Sequence, residues 1–146
     1  MIKLCIADSF PVVTDGLQSY FQGNSKAEIV GTAKNLESLL VFLDSRRCDI
    51  LLLDVEFDGL SSIRDIKSLL KDFTATKIIL FTNVSEQMYA PTAIKAGVSA
   101  YVSKKSNLKE LEATILKVAE GKVVFSDTVK KSIEMLSKGK KSERLF

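Results

Sequence analysis

Four short apolar runs, each closed by a polar residue, constrain this chain more than any other feature. Ile2–Ala7 ends at Asp8, Ile50–Leu53 at Asp54, residues 78–81 at Thr82, and residues 100–102 near Lys104. A fifth run, around Ile29 and Val30, closes near Ala33. Runs such as 51–53 and 78–81 are apolar at every position, so both of their faces need cover. Strands of a parallel sheet sandwiched between helices meet that need.

The intervening segments carry the period of helices. After Pro11, the residues Val13, Leu17, Tyr20 and Phe21 share one face, and Gly23-Asn24 stops the run. Asn35 is placed to cap a second helix faced by Leu36, Leu39, Leu40 and Leu43. Ser62 with Asp65 makes a capping-box pattern ahead of Ile63, Ile66, Leu70 and Phe73. Asn107 with Glu110 opens another helix, faced by Leu108, Leu111, Ile115 and Val118 and ended by Gly121. Residues 123–125 form a short extended run, and Val129, Ile133 and Leu136 mark a last helix. The alternation predicts an α/β fold: a doubly wound, five-stranded parallel sheet with helices on both faces. The fourth helix is the poorly supported one. Pro91 falls in the middle of the candidate 86–96, and a mid-helix Pro costs about 3 kcal/mol. The expectation is a long loop after Thr82 and a short or kinked helix that starts at Pro91.

Composition narrows the chemistry. A length of 146 residues, 46% apolar, suits one domain with its own core. Histidine is absent, which removes Ser–His and Cys–His nucleophile pairs and every His-containing metal site. The two cysteines, Cys5 and Cys48, lie beside apolar runs and read as buried free thiols. No apolar stretch reaches the ~20 residues that span a bilayer, and Asp8 comes too early for a signal peptide. A cytoplasmic protein with no membrane partner is expected. Residues 130–146 carry a net charge of +4 and the first 129 residues −1. The body is therefore not built to wrap nucleic acid by charge alone. From Ser137 the composition turns to Lys, Gly and Ser, as in a linker or tail.

In open α/β sheets, ligands bind beyond the carboxyl ends of the strands. Asp8, Asp54, Thr82 and Lys104 sit at those ends, 46, 28 and 22 residues apart. Singly, a strand-end Asp is a solvated turn or a helix cap, and a strand-end Lys is a surface cation. Together, two carboxylates, a hydroxyl and an ammonium in one crevice hold a hard cation and a phosphoryl group. An Asp in that crevice can also be the nucleophile.

The pieces "CIAD" at 5–8, "LLLDVE" at 51–56, "IILFT" at 78–82 and "AGVSAYVSK" at 96–104 resemble the receiver domain of two-component response regulators. The resemblance runs over about residues 2–119. Residues 121–136, "GKVVFSDTVKKSIEML", look like the segment that follows the receiver in LuxR/NarL-type transcriptional regulators. The resemblance implies a flavodoxin-like sheet of order 2-1-3-4-5. It implies a receiver domain at 1–121, and a linker helix and basic tail at 122–146. It makes Asp54 the phosphoacceptor for a sensor histidine kinase. Asp8, Asp54 and the backbone carbonyl of Glu56 would hold Mg²⁺. Thr82 and Lys104 would bind the phosphoryl oxygens, and Thr82 with Tyr101 would form the switch. Dimerisation on activation is implied as well. DNA contact is expected only through a helix-turn-helix domain absent from this chain, which the apolar ending after a basic linker suggests is truncated.

Four positions depart from the family pattern. Ser9 stands where a second acidic residue is usual, Asp58 where Pro is usual, Asn83 where Ala or Gly is usual, and Pro91 disturbs the signalling helix. Ser9 weakens the expected Mg²⁺ site, and the Glu56 side chain is a candidate to compensate. The chain is therefore expected to be a working receiver with slow chemistry or low metal affinity. The alternative is a degenerate receiver that binds partners without phosphorylation. An Asp-nucleophile phosphatase needs D-x-D after its first strand, and neither Asp8-Ser9-Phe10 nor Asp54-Val55-Glu56 supplies it. A flavodoxin-like small-molecule binder wants a Gly-rich phosphate loop, and "ADSFPVV" has no Gly. The expected site turns over no released substrate, so the chain is not read as an enzyme.

Overall fold

In the computed structural model, which describes residues 1–131 and residue 134, the chain alternates strand and helix throughout. The elements are β1 (Ile2–Ala7), α1 (Pro11–Phe21), β2 (Ala27–Ala33), α2 (Leu36–Ser45) and β3 (Ile50–Leu53). They continue with α3 (Ile63–Asp72), β4 (Lys77–Thr82), α4 (Glu86–Ala96), β5 (Ala100–Ser103) and α5 (Leu108–Ala119). All strand pairs are parallel, in the order β2-β1-β3-β4-β5. This is the doubly wound sheet that the sequence predicts.

Strand periodicity divides the core in two. Cys5, Ala7, Leu51, Leu53, Ile78, Leu80 and Tyr101 pack with α2, α3 and α4 on one face. Leu4, Ile6, Ile50, Leu52, Ile79, Phe81 and Val102 pack with α1 and α5 on the other. Every residue of β3 is buried, as a central strand covered on both sides requires. Cys5 and Cys48 are buried free thiols, and the Cys48 hydrogen bond and burial push the Cys5 thiol well up.

The helix ends follow the capping rules. Pro11 starts α1, where its missing N–H is no loss. Asn35 and Ser62 head capping boxes with Ser38 and Asp65, and Asn107 accepts from the Glu110 N–H. The predicted faces need small corrections. Leu69 rather than Leu70 is the buried Leu of α3, and Leu40 is exposed on α2.

The fourth helix corrects the sequence reading. It spans all of Glu86–Ala96 with Pro91 inside, and the loop after Thr82 is only residues 83–85. A proline there removes one helix bond, that to the Gln87 carbonyl. Ala90 and Ala93 are fully buried against the sheet, and Gly97 closes the helix at φ 107°. That packing and that cap outweigh the missing bond.

Residues 122–131 are folded onto this body. Val124 bridges Ala100 and exchanges backbone bonds with Ser99 and Tyr101, covering the β5 edge. Residues 127–131 are helical, and Phe125 and Val129 are buried with Tyr101, Ala90 and Ala93. The remaining expectations for the tail, including Ile133 and Leu136, lie outside the described residues.

One close approach is testable. A Cβ on Gly31 of β2 would overlap the Phe42 ring of α2. Gly31→Ala is expected to cost about 1–3 kcal/mol, with part recovered by adding Phe42→Leu. Chemical denaturation of the single and double variants checks this.

Candidate functional site

Asp8 and Asp54 lie one step past β1 and β3, Lys104 one step past β5, and Thr82 is the last residue of β4. The Asp8 N–H still bonds to Ala33, the Asp54 N–H to Ala7 and the Lys104 N–H to the Thr82 carbonyl. The side chains therefore emerge together at the carboxyl edge of the sheet. Asp8 is 2% exposed, Asp54 3% and Thr82 0%.

Lys104 is the hub. Its Nζ lies 2.6 Å from Asp8 Oδ2 and 2.6 Å from Asp54 Oδ2. The other Asp54 oxygen, Oδ1, accepts from the Thr82 hydroxyl at 2.7 Å and from the Glu56 N–H at 3.0 Å. Asp8 Oδ1 accepts from the Phe10 N–H at 2.9 Å. Burial pulls the Lys104 ammonium down, but the hydrogen bonds and charges of Asp54 and Asp8 outweigh it and hold it above the ordinary lysine value. The site thus joins two ionisable acids, one cation and one hydroxyl. The arrangement presents a carboxylate with donors on both oxygens: its excess negative charge suits a cation, and the ammonium and hydroxyl can donate to phosphoryl oxygens.

The structure brings Asp8, Asp54, Thr82 and Lys104 together as the spacing predicts. The Glu56 side chain is exposed, while its N–H reaches Asp54. Asn83 is exposed beside Thr82. Tyr101, from β5, is turned into the core at 7% exposure. Burial, then the charges of Glu86 and Asp54, push its phenol up to about 12. Among the described residues no group of three or more His, Cys, Asp and Glu side chains converges.

Two features escape a sequence reading. Phe10, an exposed aromatic, lies under Lys104 with the ammonium 5.6 Å from the ring centre. Ser9 is tied down: its hydroxyl donates to the Lys34 carbonyl at 3.1 Å and accepts from the Asp58 N–H at 3.0 Å. The Asp58 carbonyl accepts from the Leu36 N–H at 2.8 Å. Two unusual residues, Ser9 and Asp58, thus make a single link joining three loops around the site. A proline at 58 would have no N–H to give.

The response regulator receiver domain model matches residues 4–116. The chain belongs to the response regulator receiver family. Receiver domains are signalling modules of two-component systems. Over 145 residues the chain is 25% identical to the response regulator VraR of Staphylococcus aureus, covering 99% of this chain and 68% of that protein. Over 114 residues it is 34% identical to the transcriptional regulatory protein YhcZ of Bacillus subtilis, covering 77% of this chain and 53% of that protein. The receiver fold is shared with the isolated receiver domain of RcsB from Salmonella enterica serovar Typhimurium, solved with the phosphomimetic BeF₃⁻. The TM-score is 0.79 at 20% identity, over 89% of this chain and 96% of that one. A LuxR-family regulator from Staphylococcus aureus gives a TM-score of 0.73 at 23% identity, over 82% of this chain and 99% of that one.

Removing the receiver's central cation should leave two buried carboxylates facing each other. Lys104→Met is expected to destabilise the fold by about 3 kcal/mol. Adding Asp8→Asn should return part of that loss by removing the like charge. Thermal melts of the wild type and both variants measure it.

Proposed function

We propose that this receiver accepts a phosphoryl group on Asp54 from the phosphohistidine of a sensor kinase. The observation that carries the reading is the pair of donors on Asp54: the Thr82 hydroxyl on one oxygen and the Lys104 ammonium on the other. Both groups are positioned to follow the charge onto a phosphoryl group. An Asp54 oxygen attacks phosphorus, the P–N bond of the phosphohistidine breaks, and the imidazole leaves and takes its proton from solvent. The product brings roughly −1.5 to −2 charges to the crevice. Lys104 and Thr82 then donate to phosphoryl oxygens, and the Glu56 N–H keeps the acyl oxygen in place.

The residues also fit a divalent ion. Asp8 and Asp54 each bring one oxygen to the same ammonium, so they converge on a single cation position. Asp8, Asp54 and the Glu56 carbonyl would hold Mg²⁺ there. When bound, the ion offsets the negative charge of the phosphoryl oxygens. Two carboxylates rather than three, already paired to Lys104, support weak binding.

The readout would run through Thr82 and Tyr101. Thr82 already donates to Asp54, and Tyr101 already lies inward. Phosphorylation would therefore deepen an arrangement that the unmodified chain can adopt. Residues 122–131, packed on Tyr101 and α4, belong in this reading with the receiver and carry the change toward an output domain. The likeness to VraR and to LuxR-family regulators supports a role in transcription regulation. RcsB has been solved as dimers bound to DNA. By analogy the activated chain would dimerise, and DNA contact would fall to a domain other than this receiver. Among the described residues no helix is long and apolar enough to cross a membrane.

Intact mass after incubation with acetyl phosphate and excess Mg²⁺ tests the reading. One added phosphoryl mass, lost in Asp54→Asn, is the expected result. A folded protein that gains no mass at millimolar Mg²⁺ would instead be a degenerate receiver.

Ser9 makes a second test. Ser9→Asp should lower the half-saturating Mg²⁺ concentration about tenfold by adding a carboxylate to the crevice. Ser9→Ala should cost about 1 kcal/mol of stability through the lost loop link and leave Mg²⁺ affinity unchanged. The Mg²⁺ dependence of phosphorylation and the melting temperature separate the two effects.

A further inference from the structure

Phe10 stands where the rules of local structure argue against it. A residue before proline is held to extended backbone, and Phe10, before Pro11, has φ −99° and ψ 114°. It is also the cap position of α1, where Ser, Thr, Asp or Asn would satisfy a free N–H, and its side chain makes no such bond. The ring is 57% exposed, so it does not serve to fill the core. Its backbone is nonetheless firmly placed. The Phe10 N–H donates to Asp8 Oδ1 at 2.9 Å, and its carbonyl accepts from the Val13 N–H at 3.1 Å and the Thr14 N–H at 3.4 Å. A residue that breaks local rules beside a functional cluster is expected to serve that cluster. Here the ring lies beneath the Lys104 ammonium, its centre 5.6 Å away, within reach of a cation–π attraction.

Lys104 has to stay aimed at Asp54 while its partners change. Its ammonium has three N–H groups, and Asp8 and Asp54 engage it from two sides. A divalent ion would draw on the same carboxylate oxygens, and its charge would repel the ammonium. The Phe10 ring is uncharged, so its attraction for the ammonium persists when the carboxylates turn to the ion. We propose that Phe10 is a positioning residue for phosphoryl transfer: its ring holds the Lys104 ammonium in the crevice, ready for a phosphoryl oxygen once a divalent ion has claimed Asp8 and Asp54. The inference rests on the reading of Asp54 as the phosphoacceptor. Holding the ammonium there has a consequence of opposite sign for the two ligands. An ammonium kept in the crevice opposes the divalent ion, so the ring speeds phosphoryl transfer and weakens cation binding. A ring that only steadied the loop would favour both.

The test uses Phe10→Leu, which keeps apolar bulk and removes the ring face, and Phe10→Tyr, which keeps the ring. Mg²⁺ is titrated into each ¹⁵N-labelled, unmodified protein and its binding read from amide chemical shifts. Phosphorylation by acetyl phosphate at saturating Mg²⁺ is then timed by intact mass. In Phe10→Leu the Mg²⁺ dissociation constant should fall about threefold and phosphorylation should slow about threefold, the worth of one exposed cation–π contact. Phe10→Tyr should match the wild type in both. Dispersed spectra from each variant show that it has folded. The proposal is overturned if Phe10→Leu leaves either value unchanged, if it weakens Mg²⁺ binding, or if Phe10→Tyr is impaired as much as Phe10→Leu. A folded wild type that gains no phosphoryl mass overturns the phosphoacceptor reading and this role with it. Normal phosphorylation of the wild type with an unaltered Phe10→Leu overturns this role alone.

Discussion

The Lys104 ammonium between Asp8 and Asp54 is the interaction on which this structure turns. Two carboxylates buried at the edge of one sheet repel each other and have left most of their hydration behind. A single cation 2.6 Å from both offsets that repulsion. The pairing needs β1 and β3 to be neighbours and β5 to reach across β4. The strand order β2-β1-β3-β4-β5 supplies both conditions. The charges do not cancel, since two carboxylates face one ammonium. That remainder keeps the crevice attractive to a further cation, which must compete with Lys104 for the same oxygens.

The sheet and this cluster were legible in the sequence because they rest on local patterns. Apolar runs such as 51–53 and 78–81 announce strands covered on both faces. A polar residue directly after each run falls at the carboxyl edge, whatever the details of the helices. The caps at Asn35, Ser62 and Asn107 were equally readable, because a cap is decided within four residues. Helix α4 was misread for the opposite reason. Pro91 is its one unfavourable residue, and Ala90 and Ala93 packing on the sheet, a contact that local sequence does not encode, offsets the cost.

The link between Ser9 and Asp58 shows what pairwise distance hides. Read one at a time, each residue is a departure that weakens a metal site or loosens a turn. In the fold they meet across 49 residues and fasten the loops after β1, β2 and β3 to one another. The hydroxyl that replaces a charged ligand is therefore occupied with holding the loops and is not idle beside the cation position. A carboxylate at residue 9 has no proton with which to keep the bond to the Lys34 carbonyl. Stronger cation binding and a firmly tied loop are thus competing uses of the same position.

Tyr101 connects the crevice to the outer face. Burial, then the charge of Glu86 and last that of Asp54, push its phenol up to about 12. It packs with Phe125 and Val129 and borders a cavity lined by Glu86 and Glu110. Tyr101 therefore packs directly beneath residues 122–131. Those residues meet the open edge of β5 through Val124. Tyr101 is thus the side chain that β5 places between the crevice and the segment 122–131.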